Sequence, residues 1–188
     1  MTPAYAARLG ELDVEVQQVL ISTKGDRVLD VPLAEVGGKG LFTKELEAAL
    51  LEGRADLAVH SLKDMPTRIP PGLSLAAVME RADPRDVLAD RWGLPLEELP
   101  AGARIGTSSP RRVALLRTLR RDIQVVPIRG NVETRLRKAQ GEECDGVVLA
   151  AAGLARLERE GEIAQYLPPE TFVPAVGQGA LAVEVRTS

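Results

Sequence analysis

Residues 104–138 carry nine arginines and one lysine against two acids, Asp122 and Glu133, in a chain whose net charge is −3. This island contains G-T-S-S-P-R-R at 106–112 and I-R-G-N-V-E-T-R at 128–135. Upstream stands a separate acid, Asp64, in V-H-S-L-K-D-M-P. Guanidinium forks grip carboxylates through two parallel hydrogen bonds. Small residues before a helix leave backbone N–H groups for an anion, and Ser108 or Ser109 can cap that helix or bind the ligand. A carboxylate meeting a cation at ~4 Å gains about 4 kcal/mol at an effective dielectric near 20. The set suits a ligand with several carboxylates and one reacting centre that becomes cationic.

Other readings compete. G-T-S-S-P-R-R also fits a capped surface helix with solvated arginines, and Asp64 beside Lys63 also fits a surface pair of little energetic consequence. Arg129 and Arg135 follow the strand after the one preceding Arg111, and two adjacent turns supplying arginines argue for a shared site. Nucleic acid is disfavoured, because aromatics are 3% of the chain and stacking platforms need them. The single histidine, His60, and single cysteine, Cys144, leave no zinc cluster and no internal disulfide. His60 reads as a packed strand residue, and Cys144 has no activating neighbour in E-E-C-D. G-G-K-G at 37–40 lacks the spacing of a phosphate loop and reads as a mobile loop carrying Lys39.

The elements that must position these groups alternate. Strands are expected at 14–22, 56–60, 73–78, 86–88, 104–107, 123–128, 146–149 and 181–185, and helices from Phe42 to Leu50 and at 109–121, 132–140 and 151–159. That order predicts an α/β protein with mainly parallel or mixed sheets. Asp64 falls just past a buried strand, where open α/β sheets tend to bind ligands. The crossings 80–85 and 173–179 divide the chain into two lobes with a cleft between them. Apolar residues are 45% and charged residues 27%, no run approaches 18 apolar residues, and residues 1–10 lack a signal-peptide pattern. A cytoplasmic protein is the simplest expectation.

The segments V-G-G-K-G-L-F-T-K-E-L-E, A-D-L-A-V-H-S-L-K-D-M-P, D-P-R-D, G-T-S-S-P-R-R, R-G-N-V-E-T-R, L-A-A-A-G-L and P-A-V-G-Q-G-A closely resemble, in order, the porphobilinogen deaminase (hydroxymethylbilane synthase) family. The resemblance implies two lobes similar to type II periplasmic binding proteins, 1–80 with 180–188 and 86–174, and an active site in the cleft. It implies that porphobilinogen units lose ammonia and join head to tail into hydroxymethylbilane, on a dipyrromethane cofactor, in a monomeric enzyme of haem or chlorophyll synthesis. It makes Asp64 the catalytic aspartate, which steadies a cationic intermediate, and Arg111, Arg112, Arg129 and Arg135 the binders of acetate and propionate side chains. Lys63, Ser61, Thr107, Ser108, Ser109, Gln178 and Lys39 resemble supporting contacts. The family's cofactor cysteine belongs to a further C-terminal domain, and its first strand precedes the part matched here. The alternative left open is a non-catalytic two-lobe module holding a small polycarboxylate.

Overall fold

The computed structural model describes residues 15–22, 43–141 and 143–187. Lys39 and its glycine loop, Val14, the turn at 23–27 and Phe42 lie outside these residues. The chain divides into two compact units, and among the described residues the boundaries fall between residues 80 and 81 and between 179 and 180.

The first unit holds helix α1 (Lys44–Leu51), strands β1 (Leu57–Ser61) and β2 (Leu73–Val78), and the last strand, here β8 (Leu181–Arg186). β8 lies between the other two and is antiparallel to both. In K-E-L-E-A-A-L-L, Leu46, Ala49 and Leu50 fall on one helical face. Leu50 packs with Ala58 and Leu73, and Leu46, Ala55 and Ile69 flank that core.

The second unit is a five-stranded sheet in the order β5-β4-β6-β3-β7. Its strands are β3 (Asp86–Asp90), β4 (Arg104–Gly106), β5 (Gln124–Val126), β6 (Gly146–Ala150) and β7 (Gln165–Tyr166). Its helices are α2 (Pro110–Leu119), α3 (Val132–Lys138) and α4 (Ala151–Ala155). V-L-A in β3 and V-V-L in β6 are continuous apolar runs because both faces are covered. Val87, Ala89, Val147 and Leu149 join Leu136 and Leu154 on one face. Leu88, Val148 and Ile105 join Leu116, Leu167 and Phe172 on the other.

Two expectations need correction. Residues 15–22 form no strand and are exposed apart from the half-buried Ile21, since β-branched composition makes a strand only with a partner to pack on. The sheets are mixed, as expected: among the described residues β4 pairs in parallel with β5 and β6, and the remaining pairs are antiparallel. A parallel pair needs a long crossover; helices α2 and α3 provide it between β4, β5 and β6. The last helix ends at Ala155 rather than 159, just before Glu158 turns to φ 56°. Among the described residues no helix is long and apolar enough to cross a membrane.

Candidate active site

Strands β4, β5 and β6 point the same way, so the segments after β4 and β5 emerge at one edge of the sheet. β3 runs opposite to β6 and pairs its first residue, Asp86, with Ala150 at the end of β6. An acid at the start of an antiparallel strand thus arrives at the carboxyl edge of the parallel ones. Asp86 is fully buried there.

The turn from β4 into α2 is built by hydroxyls. Ser109 is the N-cap in extended conformation, with Pro110 in the first turn, and its Oγ accepts a long 3.5 Å bond from the Arg112 N–H. The Ser109 N–H donates to Thr107 Oγ1 at 3.2 Å. Ser108 Oγ donates to the Ile128 carbonyl at 2.7 Å and accepts from its N–H at 3.1 Å. Ser108 therefore ties the segment after β4 to the one after β5.

The two arginines that open α2 reach back to Asp86. Arg112 donates to Asp86 Oδ1 from Nε (3.1 Å) and Nη2 (2.7 Å), and from Nη1 to the Val148 carbonyl (2.8 Å). Arg111 donates from Nη1 to Asp86 Oδ2 and to the Val173 carbonyl, both at 2.6 Å. Gln178 Nε2 donates to Asp86 Oδ1 at 2.9 Å and to the Pro84 carbonyl at 2.7 Å. Arg112 and Gln178 are buried, whereas the Arg111 side chain keeps 26% of its surface exposed. Burial pushes the Asp86 carboxyl up, but the Arg112 charge and the bonds from Arg111, Arg112 and Gln178 outweigh it and hold the group below the usual carboxylate range. The G-Q-G spelling around Gln178 has a steric reason. Gly179 sits at φ +93°, and a Cβ there would lie 2.4 Å from the Ala82 carbonyl oxygen.

Arg129 and Arg135, both half-buried, flank the start of α3. Asn131 caps that helix by accepting from the Thr134 N–H at 2.8 Å. Gly130 (φ +120°) precedes it, where a Cβ would fall 2.7 Å from Thr134 Cγ2. Arg135 Nε donates to the Gly130 carbonyl at 2.7 Å. The rest of the arginine island serves other ends: Arg104 pairs with Asp145 and Arg120 with Asp122.

In the first unit, β1 ends at Ser61 and passes into a single 3₁₀ turn, Leu62–Asp64. Its Leu62 N–H donates to the Ala180 carbonyl at 3.1 Å. Lys63 and Asp64 are exposed at its end and Ser61 is half-buried. Behind them His60 is buried and lies 3.0 Å from Glu184 through Nε2 and Oε2. Burial lowers the His60 pKa. Burial, with the Glu47 charge adding to it, pushes Glu184 up to about 7.

In the second unit Arg111, Arg112 and Gln178 converge on Asp86, Thr107, Ser108 and Ser109 brace the turn that carries both arginines, and Arg129 and Arg135 follow β5. Asp64, Lys63 and Ser61 stand together in the first unit. Asp86, the last residue of D-P-R-D, was not among the expected site residues. An acid opening an apolar strand, in a chain with an arginine surplus, was the available signal.

The fold and site define an α/β protein whose second unit gathers guanidinium groups at one sheet edge. Residues 2–188 match the family profile "Porphobilinogen deaminase, dipyromethane cofactor binding domain". The chain is 54% identical over 175 residues to the porphobilinogen deaminase of Syntrophomonas wolfei, covering 93% of this chain and 57% of that protein. It is 57% identical over 173 residues to that of Syntrophotalea carbinolica, covering 92% and 55%. It therefore spans a little over half the length of these curated relatives. A putative lipoprotein from Actinomyces odontolyticus shares a looser likeness, with TM-score 0.49 and 14% identity over 78% of this chain and 68% of that one, too loose to bear on the fold. The chain belongs to the porphobilinogen deaminase family.

Proposed function

We propose that this chain is the substrate-handling part of a porphobilinogen deaminase, a transferase that joins porphobilinogen units head to tail with loss of ammonia. Each addition breaks the C–N bond of an aminomethyl group, releases ammonia, forms one C–C bond between pyrroles and discharges one proton from the attacked carbon. The charge that develops between these events is a delocalised pyrrole cation. Asp64, exposed at the end of β1, serves as the carboxylate that stabilises it. Such stabilisation accelerates the reaction only if it is stronger in the transition state than in the ground state.

The single observation that carries this reading, beyond family membership, is the arginine edge of the second unit. Porphobilinogen and its oligomers bear acetate and propionate groups, and Arg111, Arg129 and Arg135 supply planar two-pronged donors at one sheet edge. The same donors fit the carboxylates of dipyrromethane, which when bound supplies the pyrrole to which units are added. Cys144 does not fit as its attachment point. Its thiol is fully buried, bonds the Lys138 carbonyl at 3.5 Å, and is pushed up in pKa chiefly by burial.

Porphobilinogen titrated into the protein in a calorimeter tests the reading. Arg129→Ala or Arg135→Ala is expected to weaken binding by roughly 1.5–3 kcal/mol. Arg159→Ala, whose side chain pairs with Glu162, is expected to change nothing; an equal loss there overturns the assignment. In a full-length deaminase carrying this sequence, Asp64→Asn is expected to retain binding and lose about a hundredfold or more in turnover.

A further inference from the structure

Asp86 is an acceptor shared by Arg111, Arg112 and Gln178. Its Oδ1 takes three hydrogen bonds, two from Arg112 and one from Gln178, and its Oδ2 takes one from Arg111. One carboxylate against two guanidinium groups leaves the cluster with one net positive charge, so it still attracts anions. Arg112 is consumed inward, between Asp86 and the Val148 carbonyl. Arg111 is held through a single nitrogen, Nη1, between Asp86 and the Val173 carbonyl. A planar guanidinium held in that way has its other edge, Nε with Nη2, set in direction. That edge is the one a carboxylate can take with two parallel bonds.

We propose that Asp86 is the positioning residue of the arginine site: it fixes the plane of Arg111 so that the Nε/Nη2 edge grips one carboxylate of the pyrrole substrate. The proposal deepens the reading of the site given above and rests on it. Asp86 touches no substrate. It acts through Arg111, with Arg112 and Gln178 locking the carboxylate's own orientation. Positioning of this kind favours the ligand by removing rotamer freedom before binding.

The test is a double-mutant cycle in the full chain, read by calorimetric titration of porphobilinogen, with thermal unfolding run beside it. Asp86→Asn keeps shape and one acceptor oxygen; it is expected to weaken binding by roughly tenfold to a hundredfold. That loss is expected to vanish once Arg111 is already Ala, because nothing is then left to position. A loss that persists undiminished in the Arg111→Ala background marks a merely structural role and overturns the proposal. Asp86→Asn binding within about twofold of the unsubstituted chain overturns it as well, and leaves the functional reading intact. Should Asp86→Asn fail to fold, Arg111→Lys carries the test, since it keeps the charge and loses the fork. A loss close to that of Arg111→Ala supports positioning, and near-normal binding overturns it. Absence of porphobilinogen binding by the unsubstituted chain overturns the functional reading and this proposal together.

Discussion

Two fully buried carboxylates, Asp86 in the second unit and Glu184 in the first, show opposite ways of keeping an acid out of water. Asp86 is saturated by two guanidiniums and an amide and stays ionised. Glu184 faces His60 at 3.0 Å, while its other oxygen, Oε1, has no hydrogen-bond partner among the described residues. Glu47 Oε1 and Thr43 Oγ1 in the same unit are buried without one as well. A second acid nearby raises the cost of a charge, and Arg186, two residues along the same strand, is turned to the Leu50 and Ala55 carbonyls and to Asp56. Glu184 therefore keeps its proton to about pH 7. Burial alone does not decide protonation; the partners that share the burial do.

The largest effect comes from breaking the saturated site. Asp86→Ala removes the buried carboxylate that Arg111 and Arg112 both bond, and a loss of about 3–5 kcal/mol is expected, read as a lower urea midpoint for the second unit. Asp86→Asn, which retains one acceptor, is expected to cost less. The pH dependence follows from the lowered pKa. The stabilisation is present above the ordinary carboxylate value of 3.8 and is lost as pH falls through the lower folded one.

Glu184 has the opposite sign. Its folded pKa lies above its ordinary 4.5, so its contribution is complete below pH 4.5 and is lost as pH rises to about 7. Across that window the first unit is expected to lose on the order of 1.4 kcal/mol per pH unit from this group. Hydrogen exchange of β1 and β8 amides as a function of pH measures it. Glu184→Gln is expected to remove this fall, leaving only the rise towards pH 6.5 that the lowered His60 pKa contributes, while changing stability at pH 5 by only about 1 kcal/mol. A slope unchanged in the Gln variant would assign the titration elsewhere in the unit.

The smallest effect sharpens the contrast from the apolar side. Cys144 packs against Gly106, where an added Cβ would lie 3.1 Å from Sγ, and its thiol pKa is raised. Iodoacetamide is expected to leave it unmodified in the native protein and to label it only as the second unit unfolds. Labelling at native conditions would mean that the unit opens locally.

What the sequence revealed follows the same division. The continuous apolar runs of β3 and β6, the capped start of α2 and the Asn131 start of α3 are local signals, and each was legible. The antiparallel placement of β3 was not, because periodicity carries no information on strand direction. With it went the arrival of Asp86 beside Arg111 and Arg112, residues 25 and 26 positions away. The hydroxyls of G-T-S-S were legible as a helix start, but the Ser108 tie to Ile128 depends on β4 and β5 being neighbours. His60 was readable as a packed residue. Its pairing with Glu184, 124 positions on, needed the register that sets Ala58 opposite Glu184 and His60 opposite Ala182.

The G-Q-G turn has a mechanical consequence. The chain enters the second unit at Arg81 and Ala82 and leaves it at Gln178 and Gly179. Those two passages are stitched together: the Ala82 N–H donates to the Gly179 carbonyl (3.2 Å), Arg81 Nε to the Gln178 carbonyl (2.9 Å), and Arg156 Nη2 to the Gly179 carbonyl (2.8 Å). A pull on either arm meets a clasp at the unit's mouth before it reaches a strand of the sheet. Residues 81–179 thus form a loop closed at its own base.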